Sequence, residues 1–81
     1  MLPHLMKLNT EQRRALEMLA DSEPRGCAEA VLRAHGFDVA ILAELVDAGL
    51  AIRTSERVLA SGRLLDVTRY KITNVGRKAL V

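Results

Sequence analysis

The side chains in this sequence with the clearest chemical potential are five cations in its second half. They are Arg53, Arg57, Arg63, Arg69 and Lys71. Guanidinium and ammonium groups bind phosphate oxygens through charge-assisted hydrogen bonds. Because several such groups in one stretch can follow a phosphodiester backbone, they indicate a surface for double-stranded DNA. The alternative is that these cations only protect exposed strand edges from aggregation.

The charge of the chain is divided unevenly. Residues 1–50 hold five Lys/Arg and eight Asp/Glu, a net −3, whereas residues 51–81 hold seven and two, a net +5, so that the whole chain carries +2. A basic C-terminal part on an acidic body is typical of an electrostatic footprint for nucleic acid. A solvated surface with uneven charge explains the same distribution.

Catalytic and metal chemistry has no support in the sequence. His4 and His35 are far apart, Cys27 is single, and no spacing suits a zinc site. The glycines are isolated and form no phosphate-binding loop, and no serine has a nucleophile context. We therefore predict a protein that acts by binding, with no enzyme activity, metal or cofactor.

The length and hydropathy of the chain limit the number of domains and membrane spans that it can form. Its 81 residues predict one domain over 1–81. Residues 1–8 are expected either to form a flexible arm or to pack their apolar side chains on a partner. No stretch has the length of a membrane span and no signal sequence is evident, so we expect a reducing cytoplasm and no membrane partner.

Capping signals predict the first two helices. Asn9 and Gln12 have the spacing of a capping box at the start of a helix over 10–20. A second helix is expected over 28–34. The predicted inward side chains of these helices are Ala15, Leu16, Leu19, Val31 and Leu32.

The third helix is bounded by Asp38 as its N-cap and by Gly49, which can adopt the left-handed conformation and allow Leu50 to fold back. Two short helices joined by a tight turn form a helix-turn-helix. Thr73 is expected to cap a last short helix over 74–80, with Val75, Ala79 and Leu80 inward.

Between these helices the pattern changes to that of two strands that reverse at Ser61-Gly62. A two-residue turn pairs Ile52 with Lys71, whereas a three-residue turn or a bulge places Ile52 beside Tyr70 or Ile72. We favour the second register because it buries Ile52. In that register Arg53, Arg57, Arg69 and Lys71 share one face.

The run LVDAGLAIR from Leu45 to Arg53 resembles the winged-helix family, in particular the small bacterial regulators of the multiple-antibiotic-resistance-regulator type. Tyr70-Lys71-Ile72-Thr73 and Gly76-Arg77 resemble the wing exit and following helix of that family. The resemblance covers about residues 8–80. It implies an α+β winged helix-turn-helix: a three-helix bundle, a two-stranded antiparallel wing and a short C-terminal helix.

The resemblance also implies that the third helix enters the major groove of DNA and that the wing lies at the backbone or minor groove. The outer face of that helix carries Ala40, Ala43, Glu44 and Asp47. Base-reading helices usually present Arg, Lys, Asn or Gln. We therefore predict a DNA-binding transcription regulator whose affinity comes mainly from the wing cations.

The alternative is a protein-interaction module or a homodimer without DNA binding. It would use the acidic third helix or the apolar side chains near the wing tip, which are Val58, Leu59, Leu64 and Leu65. These side chains are expected to pack in the core, or, if exposed, to mark a docking surface.

Overall fold

The computed structural model describes residues 8–81 as an α+β arrangement of four helices and a three-stranded antiparallel sheet of order β1-β3-β2. The elements in chain order are α1 (Thr10–Asp21), β1 (Cys27–Ala28), α2 (Glu29–Ala34), α3 (Val39–Asp47), β2 (Ala51–Ala60), β3 (Arg63–Ile72) and α4 (Asn74–Ala79). The predicted arm falls outside the described residues except for Leu8, which packs against the core. No helix in the described part of the chain is long and apolar enough to cross a membrane.

The N-terminus of α1 is closed by the predicted capping box. The Asn9 Oδ1 accepts a hydrogen bond from the Gln12 N–H at 2.7 Å, and the Gln12 Oε1 accepts one from the Asn9 N–H at 3.0 Å. Two backbone donors that the helix itself leaves free are thereby satisfied. The predicted helix over 10–20 is confirmed and ends one residue later.

The boundaries of α3 also follow the predicted local signals. The Asp38 carboxylate accepts from the Ala40 N–H at 3.4 Å. At the other end the Leu50 N–H donates to the Leu45 carbonyl at 2.9 Å, and the Gly49 N–H donates to the Val46 carbonyl at 3.0 Å. With Gly49 at φ +77°, these bonds form the expected Schellman motif.

The core is aliphatic and lies between the helices and one face of the sheet. Its buried members are Ala15, Leu16, Leu19, Cys27, Leu32, Phe37, Leu42, Leu45, Leu50, Ala51, Tyr70 and Ile72. Two inward predictions are wrong, because Val31 is 44% and Val75 is 52% exposed. In α4 it is Gly76 that is buried, since this helix rests on the backbone at Leu50.

The prediction of a two-stranded sheet is incomplete. Cys27 and Ala28 form a third strand and pair with Tyr70 and Arg69 of β3, so that α2 begins at Glu29. Gly26 permits this pairing, because a Cβ at that position would lie 2.6 Å from the Tyr70 carbonyl oxygen. A two-residue strand has no periodicity of its own, which is why the sequence pattern did not indicate it.

The favoured register of β2 and β3 is wrong. The strands pair without a bulge through a two-residue turn, with Ile52 opposite Lys71 and Ala60 opposite Arg63. Ser61 and Gly62 both have positive φ, at 53° and 75°, as turns that match the twist of paired strands require. The turn geometry therefore determines the register, even though this register leaves Ile52 47% exposed.

The buried Tyr70 hydroxyl finds no hydrogen-bond partner among residues 8–81. A buried polar group without a partner loses its hydration and recovers nothing for it. We therefore expect Tyr70→Phe to leave the free energy of unfolding unchanged or to raise it by up to about 1 kcal/mol. Urea unfolding monitored by circular dichroism measures this, and a loss above about 1 kcal/mol would show that the hydroxyl has a partner in solution.

Candidate nucleic-acid interface

The most prominent feature of the molecule is a long two-stranded ribbon, formed by residues 51–72 of β2, β3 and their turn. A strand of ten residues is about 33 Å long. None of residues 52–69 is buried. The molecule measures 50 Å along its longest axis and only 22 and 20 Å along the others. The outer part of the ribbon therefore projects from the helices and is accessible on both faces.

The five predicted cations all lie on the ribbon, but they do not share a face. Arg53 is opposite Tyr70 and Arg57 is opposite Asp66. Because directly opposite residues in an antiparallel pair project to the same side, Arg53 and Arg57 are on one face. By the same alternation Arg63, Arg69 and Lys71 are on the other face. The predicted single basic face is wrong, since it depended on the register that the turn excludes.

Two of these cations have carboxylate partners. The Arg57 Nε lies 3.4 Å from the Asp66 Oδ1, in a pair whose side chains are 71% and 76% exposed. The Arg69 Nε lies 3.2 Å from the Glu56 Oε1, with the Arg69 side chain 18% exposed. Exposed pairs of this kind contribute about 0–1 kcal/mol, so the Arg57 pair can open to meet another anion at little cost.

The other three cations, Arg53, Arg63 and Lys71, form no ion pair within the described part of the chain. Arg53 and Arg63 are exposed, and Lys71 is half-buried. With five cations and two carboxylates the ribbon carries a net charge of +3. Its positive field is therefore concentrated on an element that projects from a net acidic body.

The partners Glu56 and Asp66 were not singled out in the sequence. The sequence does contain a signal for Asp66, because the alternative register with a two-residue turn at Ser61-Gly62 places Asp66 opposite Arg57. The salt bridge of Glu56 runs diagonally to Arg69, whose opposite residue is Thr54. Such a diagonal contact depends on side-chain length and ribbon twist as well as on register.

The predicted base-reading face of α3 is exposed but offers no hydrogen-bond donor from a side chain. Ala40, Glu44 and Asp47 are exposed, and Ala43 is half-buried. The Glu44 Oε1 accepts a hydrogen bond from the Gln12 side-chain amide at 2.9 Å, which links α3 to α1. The face consists of methyl groups and carboxylates, so it can make few favourable contacts in the strongly anionic groove of DNA.

The apolar side chains near the ribbon tip are exposed instead of packed in the core. Leu59 is 71%, Leu64 63% and Leu65 47% exposed, and Val58 is half-buried. The expectation of core packing is therefore wrong, and these side chains are available at the surface for contact with a partner.

Other parts of the molecule offer weaker candidates for a site. A shallow open depression beside α1 is lined by Arg14, Glu17, Met18, Asp21, His35 and Phe37. The Arg14 guanidinium lies over the Phe37 ring, 5.9 Å from its centroid, as in a cation–π contact. In residues 8–81 no three His, Cys, Asp or Glu side chains are grouped closely enough to hold a metal ion.

No family model, no curated protein and no solved structure matches this chain. The geometry of the ribbon and of α3 therefore has to support any functional conclusion.

Proposed function

We propose that this protein binds double-stranded DNA as a small bacterial winged helix-turn-helix regulator in the cytoplasm, with the ribbon as its wing. The observation that carries the proposal is the projecting ribbon with net charge +3, on which Arg53, Arg63 and Lys71 have no carboxylate partner among residues 8–81. The order of α2, α3 and the ribbon along the chain is compatible with a winged-helix arrangement and supports the proposal.

The division of the cations between two faces supports a particular mode of binding. A ribbon with cations on one face only would lie flat on the duplex, whereas one with cations on both faces can contact the two phosphate backbones that border a groove. The ribbon then supplies the affinity. The carboxylates of α3 make that helix a poor reader of base edges, so binding is expected to depend weakly on base sequence through direct contacts.

A salt titration tests the proposal. Fluorescence anisotropy with a labelled random-sequence duplex of about 20 base pairs gives the dissociation constant at 50 and 200 mM salt. Three phosphate contacts give a slope of log K against log salt of about −2.7, which is a loss of affinity of about 40-fold over this range. If the paired Arg57 and Arg69 also engage, the slope steepens to about −4.5. Absence of binding at 50 mM salt would overturn the proposal.

A second candidate is a protein-interaction module or homodimer, which the exposure of Leu59, Leu64 and Leu65 favours. The exposed, acidic face of α3 is a further surface for a basic protein. Sedimentation equilibrium tests the homodimer directly, since the monomer mass is 8.9 kDa. A concentration-dependent mass of twice this value, together with no DNA binding, would favour the second candidate.

A further inference from the structure

The apolar residues of the ribbon tip occupy two successive cross-strand pairs beside the turn. Leu59 is directly opposite Leu64, and Val58 is directly opposite Leu65. Because side chains alternate along a strand, the first pair projects to one face of the ribbon and the second to the other. The tip is therefore apolar on both faces, with Leu59 and Leu64 its most exposed members at 71% and 63%.

Only some partners can cover the apolar side chains on both faces of the tip at the same time. A flat surface, or a second ribbon stacked on the first, covers one face and leaves the other in water. A cleft that receives the tip covers both faces at once. The arrangement therefore favours insertion over stacking.

The charges around the tip indicate the chemistry of that cleft. Arg63 is the first residue after the turn, and Arg57 lies two residues before Leu59 with an ion pair that is open to solvent. A cleft with an anionic rim and an apolar interior matches this pattern. The minor groove of DNA has phosphates along both edges, and its floor presents base edges and sugars. Aliphatic side chains of other proteins insert from this groove between base steps, where they contact the apolar faces of the unstacked bases.

We propose that the ribbon tip enters the minor groove and inserts Leu59 or Leu64 as a wedge between adjacent base pairs, so that the duplex is kinked. This inference rests on the proposed DNA binding and extends it to the conformation of the bound DNA. Insertion of such wedges unstacks a base step and kinks the duplex by roughly 20–90°.

The wedge also supplies a source of sequence preference that α3 does not. Pyrimidine–purine steps such as TA unstack and kink more easily than other steps. A duplex with a central TA step is therefore expected to bind several-fold more tightly than one of uniform G·C-rich sequence, without any donor that reads a base edge.

The test uses the full chain and a double variant, Leu59→Ser with Leu64→Ser. Both side chains are exposed, so the substitutions remove no core contact. Ile52→Ser is the matched control, because Ile52 is an aliphatic side chain of the same ribbon that is 47% exposed and remote from the tip.

Two DNA probes report on the kink. One duplex of about 20 base pairs with a central TA step carries a fluorophore at each end, and a second duplex of the same sequence carries 2-aminopurine at the TA step.

We expect the wild-type protein and Ile52→Ser to raise the energy transfer between the duplex ends and the 2-aminopurine fluorescence. The double variant is expected to bind within about threefold of the wild type, since its phosphate contacts remain, and to change neither signal. A double variant that kinks the duplex as the wild type does overturns the wedge.

Two further outcomes separate the wedge from the proposed function. A wild-type protein that binds with salt dependence but changes neither signal overturns the wedge and leaves DNA binding intact, whereas no binding at 50 mM salt overturns both. Sedimentation of the same variants addresses self-association. A dimeric wild type that becomes monomeric and loses DNA binding in the double variant overturns the wedge, because the tip is then an interface between two copies.

Discussion

Replacing Gly76 with alanine is expected to lower the free energy of unfolding by about 3 kcal/mol, the upper end of the usual cost of overpacking. A Cβ at this position would lie 2.2 Å from the Leu50 carbonyl oxygen and 2.7 Å from the Ile72 Cγ1. The backbone at Leu50 is not free to move, because its carbonyl accepts a hydrogen bond from the Thr73 N–H at 3.0 Å. The substitution therefore has to displace α4 from the body.

Helix propensity alone predicts the opposite sign, since alanine is favoured over glycine within a helix by about 1 kcal/mol. Urea unfolding monitored by circular dichroism decides between the two. Lys78→Ala, an exposed position of the same helix, should change stability by less than about 0.5 kcal/mol. Gly36→Ala, where φ is +94° but the surrounding space is open, should cost about 1–2 kcal/mol from backbone strain alone. A stabilised Gly76→Ala would show that the contact between α4 and Leu50 does not form in solution.

The second large effect is expected on DNA affinity. Replacing Arg53, Arg63 and Lys71 by glutamine in one triple variant should weaken binding to a random-sequence duplex by at least about 100-fold at 50 mM salt. The variant loses three phosphate contacts and, with them, the free energy gained when those contacts release counterions from the DNA. The slope of log K against log salt should become less negative by about 2.7. Fluorescence anisotropy at four or more salt concentrations measures both quantities.

Neutralisation also changes the net charge of the whole chain, which alters long-range attraction to DNA. The matched control neutralises three exposed cations outside the ribbon, Arg25, Arg33 and Lys78, again with glutamine. It changes the net charge by the same amount but should leave the slope nearly as in the wild type. Equal losses in the two triple variants would mean that the ribbon makes no specific phosphate contacts, and that only overall charge attracts the DNA.

Both ends of α1 and α3 and the start of α4 were determined by the sequence alone. Asn9 with Gln12 and Thr73 with Gly76 each bond across three residues, and the Gly49 turn bonds back within the last turn of α3. Such contacts depend only on neighbours in the chain, so residue type and spacing are sufficient to predict them. The alternating pattern of the two strands and the position of their turn at Ser61-Gly62 were predictable for the same reason.

The tertiary structure decided what these elements do together. Three contacts join residues that are distant in the chain. Cys27 pairs with Tyr70, Gly76 packs against the backbone of Leu50, and Ile52 pairs with Lys71. The strand register, set by the positive φ of Ser61, then decided which cations meet carboxylates and that the leucines remain exposed. Because a strand's side chains alternate with a period of two, a shift of one residue would have moved every charge of one strand to the opposite face, and the alternating pattern of the strands does not distinguish the two registers.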